Sequence, residues 1–333
     1  MLSDFISDCE RRGVFTPLLF NCLTAVVGRS MLMRGGSKII FILFCFSVVF
    51  AQKRILIRCD DIGLCHSVNV AAKKLVEAGV RYSASVMTVC PWFEEAVKVL
   101  KDKENVSVGV HLTLTCEWKF YKWGPIAGKY VVPSLVNRDG YFFPTVRDFV
   151  GNNPVIREAE IELREQIKRA LEAGLKIDYV DYHMGAAIAT PELQELVYKL
   201  AREYKVGISR CFGEVSHDNI WGTPIELKLD SLIAIVDNIN DDKVHLVVIH
   251  PSMNYPEMDM MEDINSELMY SSEGKSVVGE HRSAELEALL SPKFREALKG
   301  NNIKLINYRD LISEVGLDSM KKPEDLLKHY IVR

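Results

Sequence analysis

Residues 54–63 read Arg-Ile-Leu-Ile-Arg-Cys-Asp-Asp-Ile-Gly, a β-rich apolar run that ends in two carboxylates and a glycine. Such a run, bounded by a polar turn, reads as a buried strand. The period then changes: Val68, Ala72, Leu75 and Val76 recur at helical spacing, and Gly79 stops the helix. The same strand-then-helix alternation repeats along the chain. Further strands are expected at 84–89, 106–112, 177–182, 206–209, 243–250 and 303–307. Helices are expected at 92–100, 154–173, 230–240 and 283–299, and one from the Thr190-Pro191 start to about Tyr204. Repeated βα units imply a parallel sheet covered by helices. The fold class expected is α/β: a TIM-like (β/α) barrel, incomplete or distorted, of about seven parallel strands. An open doubly wound sheet is the alternative. The lone Gly63 after the first strand is not the GxGxxG of a dinucleotide site. Residues 113–151, rich in aromatics, Gly and Pro, read as one long loop, a length that usually covers a site.

Composition narrows the function classes. The 333 residues carry 41 Lys+Arg against 45 Asp+Glu, a formal charge of −4, so there is no basic footprint for nucleic acid. With 48% hydrophobic residues the chain is ordinary globular material, not a disordered one. The first 51 residues stand apart. Residues 39–51 (IIFILFCFSVVFA) lack any charge, are short for a membrane span, and fit a signal-peptide h-region behind Arg34 and Lys38. Val49 and Ala51 occupy −3 and −1 of a cleavage before Gln52, and Met31 and Met33 are each better placed than Met1 to start such a peptide. The expected organisation is an N-terminal extension and signal peptide over 1–51 and a single domain over 52–333. Export to a periplasmic or extracellular location follows, with membrane anchoring as the alternative. No transmembrane segment is expected after cleavage, and the sequence is silent on oligomeric state. The mature chain keeps Cys59, Cys65, Cys90, Cys116 and Cys211, an odd set without a CxxC pair. That is neither a disulfide framework nor a cysteine zinc site.

Chemistry gathers where strands end. Asp60 and Asp61 close the first strand, His111 the third, Asp181-Tyr182-His183 the fourth and His250-Pro251 the sixth. The C-terminal strand ends form the active face of an α/β barrel. One Asp and two His make a sound divalent-metal set that leaves positions open for water and substrate. Such an ion polarises a carbonyl and acidifies water. Adjacent Asp60 and Asp61 point in different directions, so one can bind metal while the other acts as a base. Adjacency also argues against a glycosidase pair, whose carboxylates flank a bond ~5–9 Å apart. His245 faces away from the His250 side and reads as structural. His66, His217 and His329 have no partner that the sequence identifies. Trp118, Tyr121, Trp123 and Tyr130 are loop core or platforms for sugar rings.

Asp60-Asp61-Ile62-Gly63, His111-Leu112-Thr113-Leu114-Thr115, Asp181-Tyr182-His183 and His250-Pro251 occur in the order seen in YdjC-like carbohydrate deacetylases, which resemble the polysaccharide deacetylases. The resemblance covers 54–307. It implies a (β/α) barrel, one divalent metal ion (Zn or Mg foremost) and removal of acetyl from an N-acetylated sugar or oligosaccharide. By position, Asp61, His111 and His183 would hold the metal. Asp60 would be the general base toward the attacking water, and His250 the general acid toward the leaving amine. Many members of that family carry further histidines after the position of His183, where this chain has Met184 and Gly185. A substrate loop is expected around Glu117, Trp118 and Trp123, with Glu280 and Arg282 as a second polar wall. Two other readings stand beside this one: an inactive carbohydrate-binding protein on the same scaffold, and a metal-dependent hydrolase of another amide.

Overall fold

The computed structural model describes residues 52–217 and 220–323. The expected signal peptide at 39–51, all of 1–51, and His329 lie outside the described residues. Among the described residues no helix is long and apolar enough to cross a membrane.

Eight strands pair in one all-parallel sheet: β1 (Lys53–Ile62), β2 (Tyr82–Val86), β3 (Val106–Leu112), β4 (Ile177–Tyr182), β5 (Gly207–Ile208), β6 (Val215–His217), β7 (Val244–Ile249) and β8 (Ile303–Ile306). The order is β5-β4-β3-β2-β1-β7-β6, with β8 on the first half of β1. The run β1 to β5 winds in one direction, as in a barrel, and does not reverse as a doubly wound sheet does. β7 holds the place beside β1 that the last strand of a regular barrel would take. The architecture is therefore an incomplete TIM-like barrel. Short β6 is the strand that the periodicity missed.

β2, β3 and β7 are buried along their whole length, as a parallel sheet covered on both faces requires. Alternation sorts the two faces. On β1, Ile55, Ile57 and Cys59 join the large core beneath the helices, whereas Leu56 joins Tyr179, Leu246, Val248 and Tyr308 inside the curl. Two and four residues after Leu56, the same inner face carries Arg58 and Asp60. On β4, likewise, Tyr179 is followed on its face by Asp181 and then His183. The interior thus changes from an apolar plug to a charged layer as it approaches the strand ends.

Gly109 on β3 makes this layering possible. A Cβ there would meet the Tyr179 ring at 2.4 Å, a distance no packed carbon tolerates. The tucked ring donates its hydroxyl to Ser85 Oγ (2.8 Å), and Ser85 donates to Asp181 Oδ2 (2.8 Å).

The helices follow the expected plan with three differences. The segment 283–299 is two helices, α7 (Val278–Leu290) and α8 (Pro292–Gly300), because Ser291 caps a new start with Pro292 in its first turn. A further helix, α9 (Tyr308–Val315), opens on a capping box formed by Asn307 and Asp310. The long loop after β3 holds a short helix, α3 (Val146–Gly151), and is tied to α4 (Ile156–Glu172): Glu162 accepts from the backbone of Ile126 and Ala127, and Gln166 pairs with both backbone groups of Thr113. The remaining helices are α1 (His66–Glu77), α2 (Phe93–Leu100), α5 (Pro191–Tyr204) and α6 (Lys228–Asn238).

Candidate metal centre at the strand ends

The site begins with a defect in β1. Register with β2 shifts between Cys59 and Ile62, and Asp61 adopts a left-handed backbone (φ 64°). A bulge of this kind re-aims side chains. Here it lets two successive carboxylates, both buried, enter the same pocket. Gly63 N then donates to Asn69 Oδ1 at 2.9 Å, which fixes the turn into α1. At the end of β4 the chain turns through two consecutive left-handed residues, Met184 and Gly185, which leaves His183 at the rim of the curl.

Three of the expected residues converge. His111 Nε2 is 3.5 Å from Asp61 Oδ1, His183 Nδ1 is 3.4 Å from the same oxygen, and the two nitrogens are 3.2 Å apart. Ligand atoms held ~2.1 Å from one ion at tetrahedral angles lie about 3.4 Å from each other, so the triangle fits a metal. Asp61 Oδ1 is buried and accepts no hydrogen bond from any described residue. An orphaned carboxylate oxygen facing two imidazole nitrogens is a donor set suited to a divalent cation.

Each ligand is oriented from behind, as metal ligands usually are. The far nitrogen of His183, Nε2, is 2.8 Å from Glu117 Oε2. The far nitrogen of His111, Nδ1, is 3.0 Å from Asp181 Oδ1. The other oxygen of Asp61 accepts from Arg282 Nη2 at 2.6 Å, and the Arg282 guanidinium lies 5.5 Å from the rings of both Trp118 and Trp221. Asp60, His111 and Asp181 form a second cluster of the right composition. Its centre is already served by a cation: Arg58 donates twice to Asp60, at 2.7 Å each, and stands 3.1 Å from Asp181. The Asp61 trio has no such cation of the protein's own at its centre among the described residues, and its donor set fits a metal.

Charge explains the titration of these groups. Burial alone would raise Asp60, but Arg58 outweighs it and, with His111, holds the carboxyl down to about 2. Burial likewise opposes ionisation of Asp61, yet Arg282 and the two imidazoles keep it well below the usual carboxylate range. His111 is pulled down by burial but pushed up more by Asp181 and Asp60, to about 10. His183 is pushed to about 9 by Glu117 and Asp61 against the same burial penalty.

His250 sits beside the trio. Its Nε2 is 4.0 Å from Asp60 Oδ2, its ring lies 4.8 Å from that of Trp221, and its backbone N–H donates to Glu285 Oε2 at 2.6 Å. Burial lowers its pKa, against the pull of Asp61 and Asp60.

The residues expected on a substrate loop lie elsewhere. Glu117, Trp118, Trp123 and Arg282 are all at most 3% exposed. They form the wall behind the ligands: Trp123 donates its ring N–H to Thr115 O and packs edge-on to His183 at 5.9 Å. Glu280 is exposed at the surface. A cavity of about 240 Å³ opens nearby between Trp92, Phe120, Tyr121 and Met260, and Tyr121 is one ring contact (6.0 Å) from Trp123. A larger hollow of about 590 Å³ lies among α6, α7 and α8 and contains none of the ligands.

Sequence reasoning missed Arg58, Asp181 as the partner of His111, Lys228 and Glu285. The available signal for Arg58 was a charged residue inside an apolar strand. Of the unassigned histidines, His66 pairs with Glu95 at 2.9 Å, and His217 with His245 at 2.8 Å. His245 also reaches Asp241 at 2.8 Å, so its contacts are all structural.

Comparison with known proteins adds to this geometry. The profile of the YdjC-like protein family matches residues 54–300. A carbohydrate deacetylase of Brevibacillus brevis is 27% identical over 273 residues, covering 78% of this chain and 99% of that protein. One of Geobacillus stearothermophilus is 27% identical over 264 residues, covering 77% and 96%. Among solved structures, a protein of Enterococcus faecalis V583 described as a cellobiose-phosphate cleavage protein superposes with a TM-score of 0.62 at 22% identity, covering 78% of this chain and 99% of that one. That likeness concerns the fold alone.

Proposed function

The chain belongs to the YdjC-like protein family, and from that premise we propose that it is a metal-dependent hydrolase that removes acetyl from an N-acetylated carbohydrate. The observation that carries the reading is the convergence of Asp61, His111 and His183 around one orphaned carboxylate oxygen. These three residues would hold one divalent ion, zinc or magnesium foremost. When bound, the ion would polarise the amide carbonyl and make the attacking water more acidic.

The protein's own groups move the protons. Asp60, fixed through both oxygens by Arg58, faces the pocket as a carboxylate and takes the proton of the attacking water. Because Arg58 favours the anion, protonated Asp60 is a strong acid and passes that proton on. His250 stands 4.0 Å away, neutral at rest, and can receive it after a small ring movement. His250 then protonates the leaving nitrogen as the C–N bond breaks. The balance is amide plus water to acetate plus protonated amine. Arg282 keeps Asp61 in place throughout and is too buried to meet the sugar.

Acetate release by the purified protein tests this. The substrates are a panel of N-acetylated sugars, with added zinc or magnesium and after chelation, and with Asp60→Asn as control. Metal-dependent release lost in Asp60→Asn supports the reading. A metal-loaded protein that releases no acetate from any of them overturns it. Export through residues 39–51 belongs to the same proposal and is supported by the sequence pattern alone.

A further inference from the structure

Lys228 and Glu285 form an ion pair sealed from solvent, with side chains 1% and 0% exposed. Lys228 lies at the start of α6 and Glu285 in the middle of α7, and neither touches the metal ligands. All three ammonium protons are used: Nζ donates to Glu285 Oε1 (2.8 Å), Ile220 O (2.6 Å) and Trp221 O (3.0 Å). The second oxygen of Glu285 accepts from the backbone N–H of His250 (2.6 Å). One pair therefore holds both the residue that follows β7 and the loop that carries Trp221, whose ring packs on His250. Arg282 stands one helical turn before Glu285, and its backbone oxygen accepts from Ser252 N (3.2 Å), which ties the segment after His250 to the same helix.

A buried ion pair is a poor way to gain stability, because apolar residues of similar volume serve as well or better. Its geometric effect here is specific. We propose that Lys228 and Glu285 are positioning residues for the reaction: by clamping the His250 backbone and the Trp221 loop, they set where the His250 ring stands relative to Asp60. The inference rests on the role given to His250 above.

The test replaces both charges at once, Lys228→Met with Glu285→Met, so that neither is left buried alone. The expected protein folds, binds metal with wild-type stoichiometry, and loses roughly 10- to 100-fold in kcat with a smaller change in KM, the scale of a misplacement of about 1 Å. Its pH–rate profile moves on the limb set by His250. Histidine-labelled NMR of the metal-free protein reads the same thing without turnover: the His250 ring signals shift or broaden, while those of His66 do not. Wild-type kcat, pH profile and His250 signals in the folded double variant would overturn the proposal. If the wild-type protein releases no acetate, the deacetylase reading fails, and the NMR comparison still decides the clamp. Should the double variant not fold, Glu285→Gln is read by the same measurements and to the same two outcomes.

Discussion

Glu117 Oε2 lies 2.8 Å from Nε2 of His183, so the imidazole is gripped by one nitrogen and presents the other to the pocket. Asp181 faces the opposite ring nitrogen of His111 as an ion-pair partner at 3.0 Å. Such partners fix ring orientation and tautomer, and their loss typically costs about 10- to 100-fold in metal affinity. Glu117→Gln and Asp181→Asn are each expected to weaken metal binding by that factor while leaving stoichiometry at one ion. Calorimetric titration of each variant against the wild type measures it. Unchanged affinity in both would mean the rings are held by packing alone.

The raised imidazoles make the metal compete with protons. His111 and His183, at about 10 and about 9 without metal, are protonated across the neutral range, held so by Asp181, Asp60, Glu117 and Asp61 against the penalty of burial. A group whose pKa is higher in the folded state stabilises it below its unfolded value of ~6.5, and that stabilisation is lost as pH rises through the folded value. The metal-free protein should therefore lose stability from about pH 6.5 up to about pH 10. Metal binding requires neutral imidazoles and tightens over the same interval. The gap in Tm between loaded and metal-free protein is expected to widen as pH rises. A gap that narrows would show that the rings do not gain protons in the pocket.

Arg58 is 2% exposed and pairs with both Asp60 and Asp181. Removing it leaves two buried carboxylates against each other. Arg58→Met is expected to destabilise by about 3–5 kcal/mol, the usual cost of breaking a buried pair from one side. Arg58→Lys should recover little of this, since an ammonium cannot donate in parallel to both oxygens of Asp60. Urea unfolding of the metal-free proteins compares the three.

α9 offers a stability change remote from the ligands. Asn307 Oδ1 accepts from Asp310 N at 3.1 Å and the Asp310 carboxylate accepts from Asn307 N, while Arg81 pairs with Asp310. Asn307→Ala is expected to cost about 1–2 kcal/mol. That corresponds to a Tm lower by roughly 2–4 °C per kcal/mol for a domain near this size. Asn307→Asp, which keeps the cap, should recover most of the loss.

The N-terminal proposal is checked by sequencing the protein recovered outside the cytoplasm of an expressing host. The expected first residue is Gln52. Recovery only as an uncut chain would replace secretion with anchoring.

Much of this molecule was legible from local pattern. The strands and the residues that end them are short-range features, and once a barrel is assumed, strand ends share a face. That was enough to bring Asp60, Asp61, His111, His183 and His250 together. The unread part is long-range. Nothing near Glu285 in sequence says that its carboxylate meets the backbone of His250 on one side and Lys228 on the other. Trp118 and Trp123 read equally as loop core or as sugar platforms, and the structure, with the loop anchored on Glu162 and Gln166, buries both. The bulge at Asp61 was also invisible, since an aspartate tolerates a left-handed backbone without announcing it.

That bulge has an evolutionary reading. Position 61 is constrained twice, once by its oxygen and once by its φ of 64°. Most replacements would forfeit the turn along with the ligand. Asparagine is the exception, because it shares aspartate's size and its ease in this conformation. A lineage drifting from catalysis toward mere sugar binding would pass most cheaply through asparagine at this position, keeping the architecture and surrendering the charge. This chain retains aspartate there.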